Sequence, residues 1–298
     1  MLFRHDLDGR HFDDSRIYVD EDDHPWTHNK SNILSWLHKS FTRKSELAQW
    51  IATAMAGPRT WFGGIFNRTD PKSFGTNKCV VEYNLTHVQE ARYLRLRERT
   101  NVPYDQTRLE HQKALVELWN LAYPNVTLKG LISDQWKEMG WQGVDPSTDF
   151  RGAGFLSLEN LLFFAKTFPN LFRRLLLKQH GKRVAWEYPF AVAGINITFM
   201  LTEMLELHLA LYSPLNIMKS IPMDSSSYEY LIAEDDDAFD VLYCIAFVMM
   251  DAQWLAMRAS YMEFNEVLQV TRAQLEKELA LEDIYRIQDL PAFNLLYS

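Results

Sequence analysis

From Ser31 onward, apolar residues along the chain recur every three to four positions. Ile33, Leu34, Leu37 and Phe41 keep helical spacing, and Leu47, Trp50, Ile51 and Met55 resume it until Gly57-Pro58. Proline cannot continue a helix and glycine tolerates the stop, so a helix is expected to end there. Residues 63–76 have a loop-like composition. The pattern predicts a helix over about 85–99, with Val88, Ala91, Leu94 and Tyr93 facing inward. It predicts another over 109–122, with Leu115, Leu118, Trp119 and Ala122 on one stripe and Pro124 as its stop. Residues 132–139 read as a short helix. Further helical runs follow at about 157–179, 188–212, 227–233 and 239–280, with Met200, Met204, Leu207, Met249, Met250 and Met257 expected in the core. No internal repeat and no strand alternation emerges. The expected fold class is all-α, a single globular multi-helix core.

Composition agrees with that pattern. The chain is 47% hydrophobic, with only 12 Gly and 11 Pro, which favours helices over a turn-rich β fold. Residues 1–30 differ: Asp6, Asp8, Asp13, Asp14, Asp20, Glu21, Asp22 and Asp23 stand among few aliphatics, so an acidic, poorly ordered leader is expected. A net charge of −8 argues against nucleic acid, whose phosphates require clustered cations. Cys79 and Cys244 lie far apart without CxxC spacing, which fits a reducing compartment better than a disulfide framework. No apolar signal core opens the chain, and the apolar stretch near Val241 to Met250 is cut by Asp251, short of the ~20 residues a bilayer span needs. The expected location is cytoplasmic, where the protein could still sit peripherally on membranes.

The segment 136–161 carries the densest chemistry. Gly140, Gly143, Gly152 and Gly154 are expected to permit backbone angles or close approaches that a Cβ would block. Asp145-Pro146-Ser147-Thr148-Asp149 is rich in turn formers, and Ser157 is expected to cap a helix beginning at Leu158. A structured, non-helical loop between two helices follows. Holding such a loop in one shape costs conformational entropy, which suggests a task for it.

Twelve residues of this segment, Trp136, Gly140, Gln142, Pro146, Thr148, Asp149, Phe150, Arg151, Gly152, Gly154, Leu158 and Leu161, stand at a fixed spacing. That spacing resembles the signature of the ELMO (engulfment and cell motility) domain, in the branch that activates Arf and Arf-like GTPases. Trp141 departs from the pattern, where the family usually has Phe. Leu109-Glu110, Leu118-Trp119 and the run from Ala193 to Thr198 are also similar to family features. The resemblance covers roughly residues 100–270. It implies an ELMO domain over 100–270, preceded by a helical extension over 31–99 on the same core and followed by a C-terminal helix and tail over 271–298.

The resemblance further implies a GTPase-activating protein that supplies Arg151 in trans as the catalytic arginine finger. Such an arginine neutralises charge that builds on the transferring phosphoryl group and is worth roughly 10³ to 10⁵ in rate. Guanidinium suits the task because it stays charged and forks to two oxygens. Trp136, Gly140, Gln142, Pro146, Thr148, Asp149, Phe150, Gly152 and Gly154 would support the motif. The partner would be an Arf-family small GTPase, and this chain would need no cofactor, since GTP and Mg²⁺ belong to that partner. The larger scaffold proteins of the family tend to lack the arginine pattern and offer a rival reading: a non-catalytic module that binds a GTPase or an exchange-factor complex.

Structural readings stand beside each functional one. Arg151 could instead be buried, tying Asp149, Asp145 or Glu159 to the loop. The cationic stretch Lys166, Arg173, Arg174, Lys178, Lys182 and Arg183 could meet an anionic membrane or an acidic partner, or be a solvated helix face. Glu234-Asp235-Asp236-Asp237 reads as a solvated charge run. His5, Asp6, Asp8 and His11 fit neither a zinc spacing nor the calcium loop, so no metal is expected.

Overall fold

A computed structural model describes residues 85–177, 188–207 and 226–297. Numbered over these residues, the helices are α1 (His87–Thr100), α2 (Leu109–Ala122), α3 (Gly154–Thr167), α4 (Pro169–Leu177), α5 (Phe190–Met204), α6 (Ser226–Ala233), α7 (Ala238–Met257) and α8 (Phe264–Leu279). Two 3₁₀ helices, Asp134–Met139 and Pro146–Gly152, fill the connection from α2 to α3, and shorter ones follow at Tyr261–Glu263, Ile287–Asp289 and Pro291–Tyr297. Among the described residues every regular element is helical, as the pattern predicts. The leader, the helical runs expected between Ile33 and Met55, the loop-like 63–76, Cys79 and the His5 cluster lie outside the described residues.

The core is built around α7, which packs against α3, α5, α6, α8 and the last 3₁₀ helix. Every residue from Leu242 to Trp254 is buried. At 20 residues and a mean hydropathy of 1.4, α7 is long and apolar enough to cross a membrane, which the sequence reading did not anticipate. Yet 89% of that window is buried inside the fold, so its apolar surface faces other helices. Asp251, which appeared to interrupt the stretch, is buried and accepts a 2.9 Å hydrogen bond from the Tyr188 hydroxyl. Cys244 is also buried there, and burial pushes its thiol well above the usual range.

Helix α2 has the predicted bounds, and its predicted stripe of Leu115, Leu118, Trp119 and Ala122 is buried. Helix α1 forms where predicted and turns Tyr93 toward the core, but the rest of its predicted inward face is corrected. Val88 and Leu94 are 60% and 46% exposed, and Ala91 is exposed too, while the buried face carries Gln89, Leu96 and Thr100. Polar pairing across the fold sets this register. Gln89 Nε2 donates to Glu234, Arg92 donates to the Glu234 carbonyl, and Arg95 meets Asp236 at 2.6 Å. The acidic run at Glu234–Asp237 is therefore a mooring for α1, not simply a solvated stretch.

Two other helical runs are divided. The run expected over 157–179 breaks between Thr167 and Pro169, and α3 already begins at Gly154. Ser157 thus lies within the first turn of α3, where its hydroxyl donates to the Gly154 carbonyl instead of capping. The run expected over 239–280 breaks at Arg258, whose backbone is left-handed (φ 51°), and a capping box of Ser260 and Glu263 leads into α8. The expected division at 270/271 consequently falls inside α8.

At the end of α1, Arg99 grips Asp240 of α7 with two nitrogens at 3.1 and 3.0 Å and Glu159 of α3 with its Nε at 3.1 Å. Asn160 donates to the same Asp240, and Thr198 of α5 donates to Asn160. This polar node ties α1, α3, α5 and α7 together and anchors the first turns of α3, where the motif ends.

Candidate functional site

The twelve-residue motif spans the two 3₁₀ helices and the first turns of α3. Its floor is a chain of aromatic rings. Trp119 meets Trp136 edge-on at 5.3 Å, Trp136 meets Trp141 at 6.2 Å, and Trp141 meets Phe150 at 5.1 Å. Phe150 stacks on Tyr104 at 4.3 Å, Tyr104 touches His111, and His111 stacks on Phe155 at 3.9 Å. Trp136, Trp141 and Phe150 are nearly fully buried, so the loop is anchored to the core by three aromatic side chains. The Trp136 indole donates to the Leu131 carbonyl at 3.1 Å. That of Trp141 has no acceptor among the described residues.

Two glycines are required by the fold. Gly140 has φ +86°, and a Cβ there would lie 2.3 Å from the Phe190 nitrogen at the start of α5. Gly154 has φ +59°, and its Cβ would lie 2.5 Å from the Val102 carbonyl oxygen, which accepts the Phe155 N–H. Gly143 and Gly152 correct the expectation. Neither is left-handed, and a Cβ would meet nothing closer than the Asp145 nitrogen at 4.0 Å and Phe199 at 3.6 Å respectively.

The acids nearest Arg151 are engaged. Asp145 caps the second 3₁₀ helix by accepting the Ser147 N–H at 3.0 Å, and Pro146 is buried behind it. Asp149 accepts the Gln142 N–H at 2.9 Å and the Thr148 hydroxyl at 3.3 Å, clasping the two halves of the loop. Burial holds its carboxyl above the usual carboxylate range, partly offset by these donors and by the positive field of Arg151. Glu159 is taken by Arg99. Arg151 itself is exposed, in the last turn of the second 3₁₀ helix, and forms no hydrogen bond or ion pair among the described residues. Gln142 and Thr148 are exposed as well, whereas Leu158 and Leu161 are core residues of α3.

Sequence reasoning did not single out Tyr104 and His111. His111 accepts the Asp105 N–H through Nδ1 at 2.9 Å, and burial, followed by Arg108, lowers its pKa, which keeps the ring neutral. Burial and the fields of Asp145 and Asp105 push the Tyr104 phenol up to about 12. The only local signal was the apolar stripe of α2, on which a histidine reads as an interruption.

The cationic stretch lies apart from the motif and is only partly described. Lys166 pairs with Glu117 of α2 at 2.8 Å, Arg173 is exposed on α4, and Arg174 is half-buried. Lys178, Lys182 and Arg183 lie outside the described residues.

Comparison with known proteins adds independent evidence. The ELMO/CED-12 family profile matches residues 94–268, from the second half of α1 into α8. ELMO domain-containing protein A of Dictyostelium discoideum is 34% identical over 190 residues, covering 60% of this chain and 19% of that protein. ELMO domain-containing protein 2 of Bos taurus is 35% identical over 147 residues, covering 48% of this chain and 50% of that protein. ELMO domain-containing protein 1 of Mus musculus reaches 40% identity over 111 residues, 32% of this chain and 34% of its own length. The chain thus spans half or less of each of these three relatives. Since the profile match covers more than half of the chain and contains the whole ring-floored loop, the chain belongs to the ELMO/CED-12 family.

Proposed function

We propose that this chain stimulates GTP hydrolysis by a small GTPase of the Arf or Arf-like family, presenting Arg151 in trans to the nucleotide. The observation that carries the reading is an arginine left uncommitted on a rigid mount. Each acid the sequence offers it is engaged elsewhere: Asp145 with Ser147, Asp149 with Gln142 and Thr148, and Glu159 with Arg99. An arginine kept for structure would be expected to find one of them.

The mount matters because a positioned charge is worth far more than a flexible one. The guanidinium must reach oxygens whose charge grows only in the transition state, and ordering it at that moment would cost part of the gain. Here the backbone on both sides of Arg151 is already fixed, by Phe150 in the ring floor and by Gly154 against Val102. GTP, Mg²⁺ and the catalysed bond all belong to the partner, so the chain needs no general base of its own.

Single-turnover hydrolysis on a panel of purified Arf and Arf-like GTPases tests the reading. Acceleration by the wild-type chain, lost in Arg151→Lys, is the expected result. Tight binding to a GTP-bound partner without acceleration by either form would instead indicate a scaffold.

A further inference from the structure

We infer that Gln142 is a second arm of the same site, supplying an amide that orients the attacking water in the partner GTPase. This rests on the finger reading of Arg151 and extends it. The motif contains one local arrangement twice, in Trp141-Gln142-Gly143 and Phe150-Arg151-Gly152. In each, a nearly fully buried aromatic is followed by an exposed long polar side chain and then by a glycine. The two aromatics touch each other at 5.1 Å, so the arms share one footing. The Gln142 N–H is held by Asp149, two residues before Arg151, which fixes one arm to the other.

The glycines supply a second observation. Gly140 and Gly154 are demanded by backbone angle and by packing, but Gly143 and Gly152 are demanded by neither. A bare backbone beside each exposed arm lets another surface come close, and the fold gives it no other use. Like Arg151, the Gln142 side chain forms no hydrogen bond among the described residues.

The chemistry of the two arms is complementary. Arg151 carries charge for phosphate oxygens. An amide offers one acceptor oxygen and an N–H₂ donor, which suits a bridge between a water and the γ-phosphate. In the step itself the water oxygen bonds to the γ-phosphorus and the bond from that phosphorus to the β–γ bridging oxygen breaks. The electron pair leaves with GDP, and the proton lost by the water ends on inorganic phosphate. Gln142 orients the water and neither gives nor takes a proton.

The test uses a GTPase that the chain stimulates, together with a variant of it whose own water-positioning glutamine is replaced by leucine. Wild type, Gln142→Ala, Gly143→Ala and Arg151→Lys are compared in single turnover, with melting temperature as the control for folding. Gln142→Ala is expected to lower the saturated rate roughly tenfold or more, leaving the half-saturating concentration within about twofold. The wild-type chain is expected to retain stimulation of the leucine variant and Gln142→Ala to lose it. Gly143→Ala is expected to keep its melting temperature and lose stimulation. A Gln142→Ala rate equal to wild type, a change confined to the half-saturating concentration, or no stimulation of the leucine variant overturns the inference. If Arg151→Lys loses rate while Gln142→Ala does not, this inference alone fails. If neither substitution matters, or no GTPase responds, the finger reading fails with it.

Discussion

Arg99 lies at the end of α1, where it binds Asp240 through two nitrogens and Glu159 through a third, joining three helices. Arg151 lies at the end of a 3₁₀ helix, exposed, with its neighbouring acids engaged by other groups. The side chains are chemically the same, but the carboxylates that hold Arg99 come from 60 and 141 positions along the chain, whereas Arg151 has Asp145 and Asp149 close by in sequence. The fold places carboxylates within hydrogen-bonding distance of one guanidinium, while the other has only the longer-range field of Asp149. An arginine needed for stability is one whose removal would strand buried charges that it hydrogen-bonds; removing Arg151 would break no hydrogen bond or ion pair among the described residues and would weaken only the field it exerts on Asp149. The same division separates Gly140 and Gly154, which the backbone requires, from Gly143 and Gly152, which it does not.

The largest effect expected from this contrast is on rate. Arg151→Ala should lower GTPase stimulation by roughly 10³ or more, equivalent to about 4 kcal/mol, with an unchanged melting temperature. Next is the polar node. Asp240→Ala would leave Arg99 and Asn160 without their shared acceptor and should cost about 3 kcal/mol in denaturant unfolding, discounted for the partial exposure of Arg99. A smaller step separates the glycines: Gly154→Ala should cost about 2 kcal/mol, while Gly152→Ala should stay within about 0.5 kcal/mol and still reduce stimulation.

The smallest effect concerns Asp149. Its folded pKa is raised by burial, so the stability it contributes is present below its unfolded pKa and is lost as pH rises through the folded one. At neutral pH the ionised group therefore favours the unfolded chain, and Asp149→Asn retains an acceptor for Gln142 without that charge. Its melting temperature at pH 7 should match or slightly exceed wild type, with the difference shrinking as the pH is lowered toward 4.

What the sequence disclosed follows from the range of each interaction. Helix α2 was legible because Leu115, Leu118, Trp119 and Ala122 advertise one face locally. The span of helix α1 was legible too, but its buried face was not, because its register is set by Glu234, Asp236 and Asp240, some 140 positions away. Pro169 stands at the first position of α4, where proline is tolerated, and the apolar run of Phe and Leu residues on both sides continues across the break. The end of α7 had no such sign, since Arg258 takes the left-handed position without being glycine, although Ser260 and Glu263 offered a capping box. At the site, the motif positions were readable from a resemblance. The exposure of Arg151, the clasp from Asp149 to Gln142, and the sorting of the glycines came only from the fold.

The most direct test of the account compares Arg151→Lys with Arg99→Lys against one responsive GTPase, recording saturated rate and melting temperature for each. Arg151→Lys should lose stimulation and melt like wild type, whereas Arg99→Lys should melt lower and, while folded, stimulate normally. Full stimulation by Arg151→Lys would contradict the central claim.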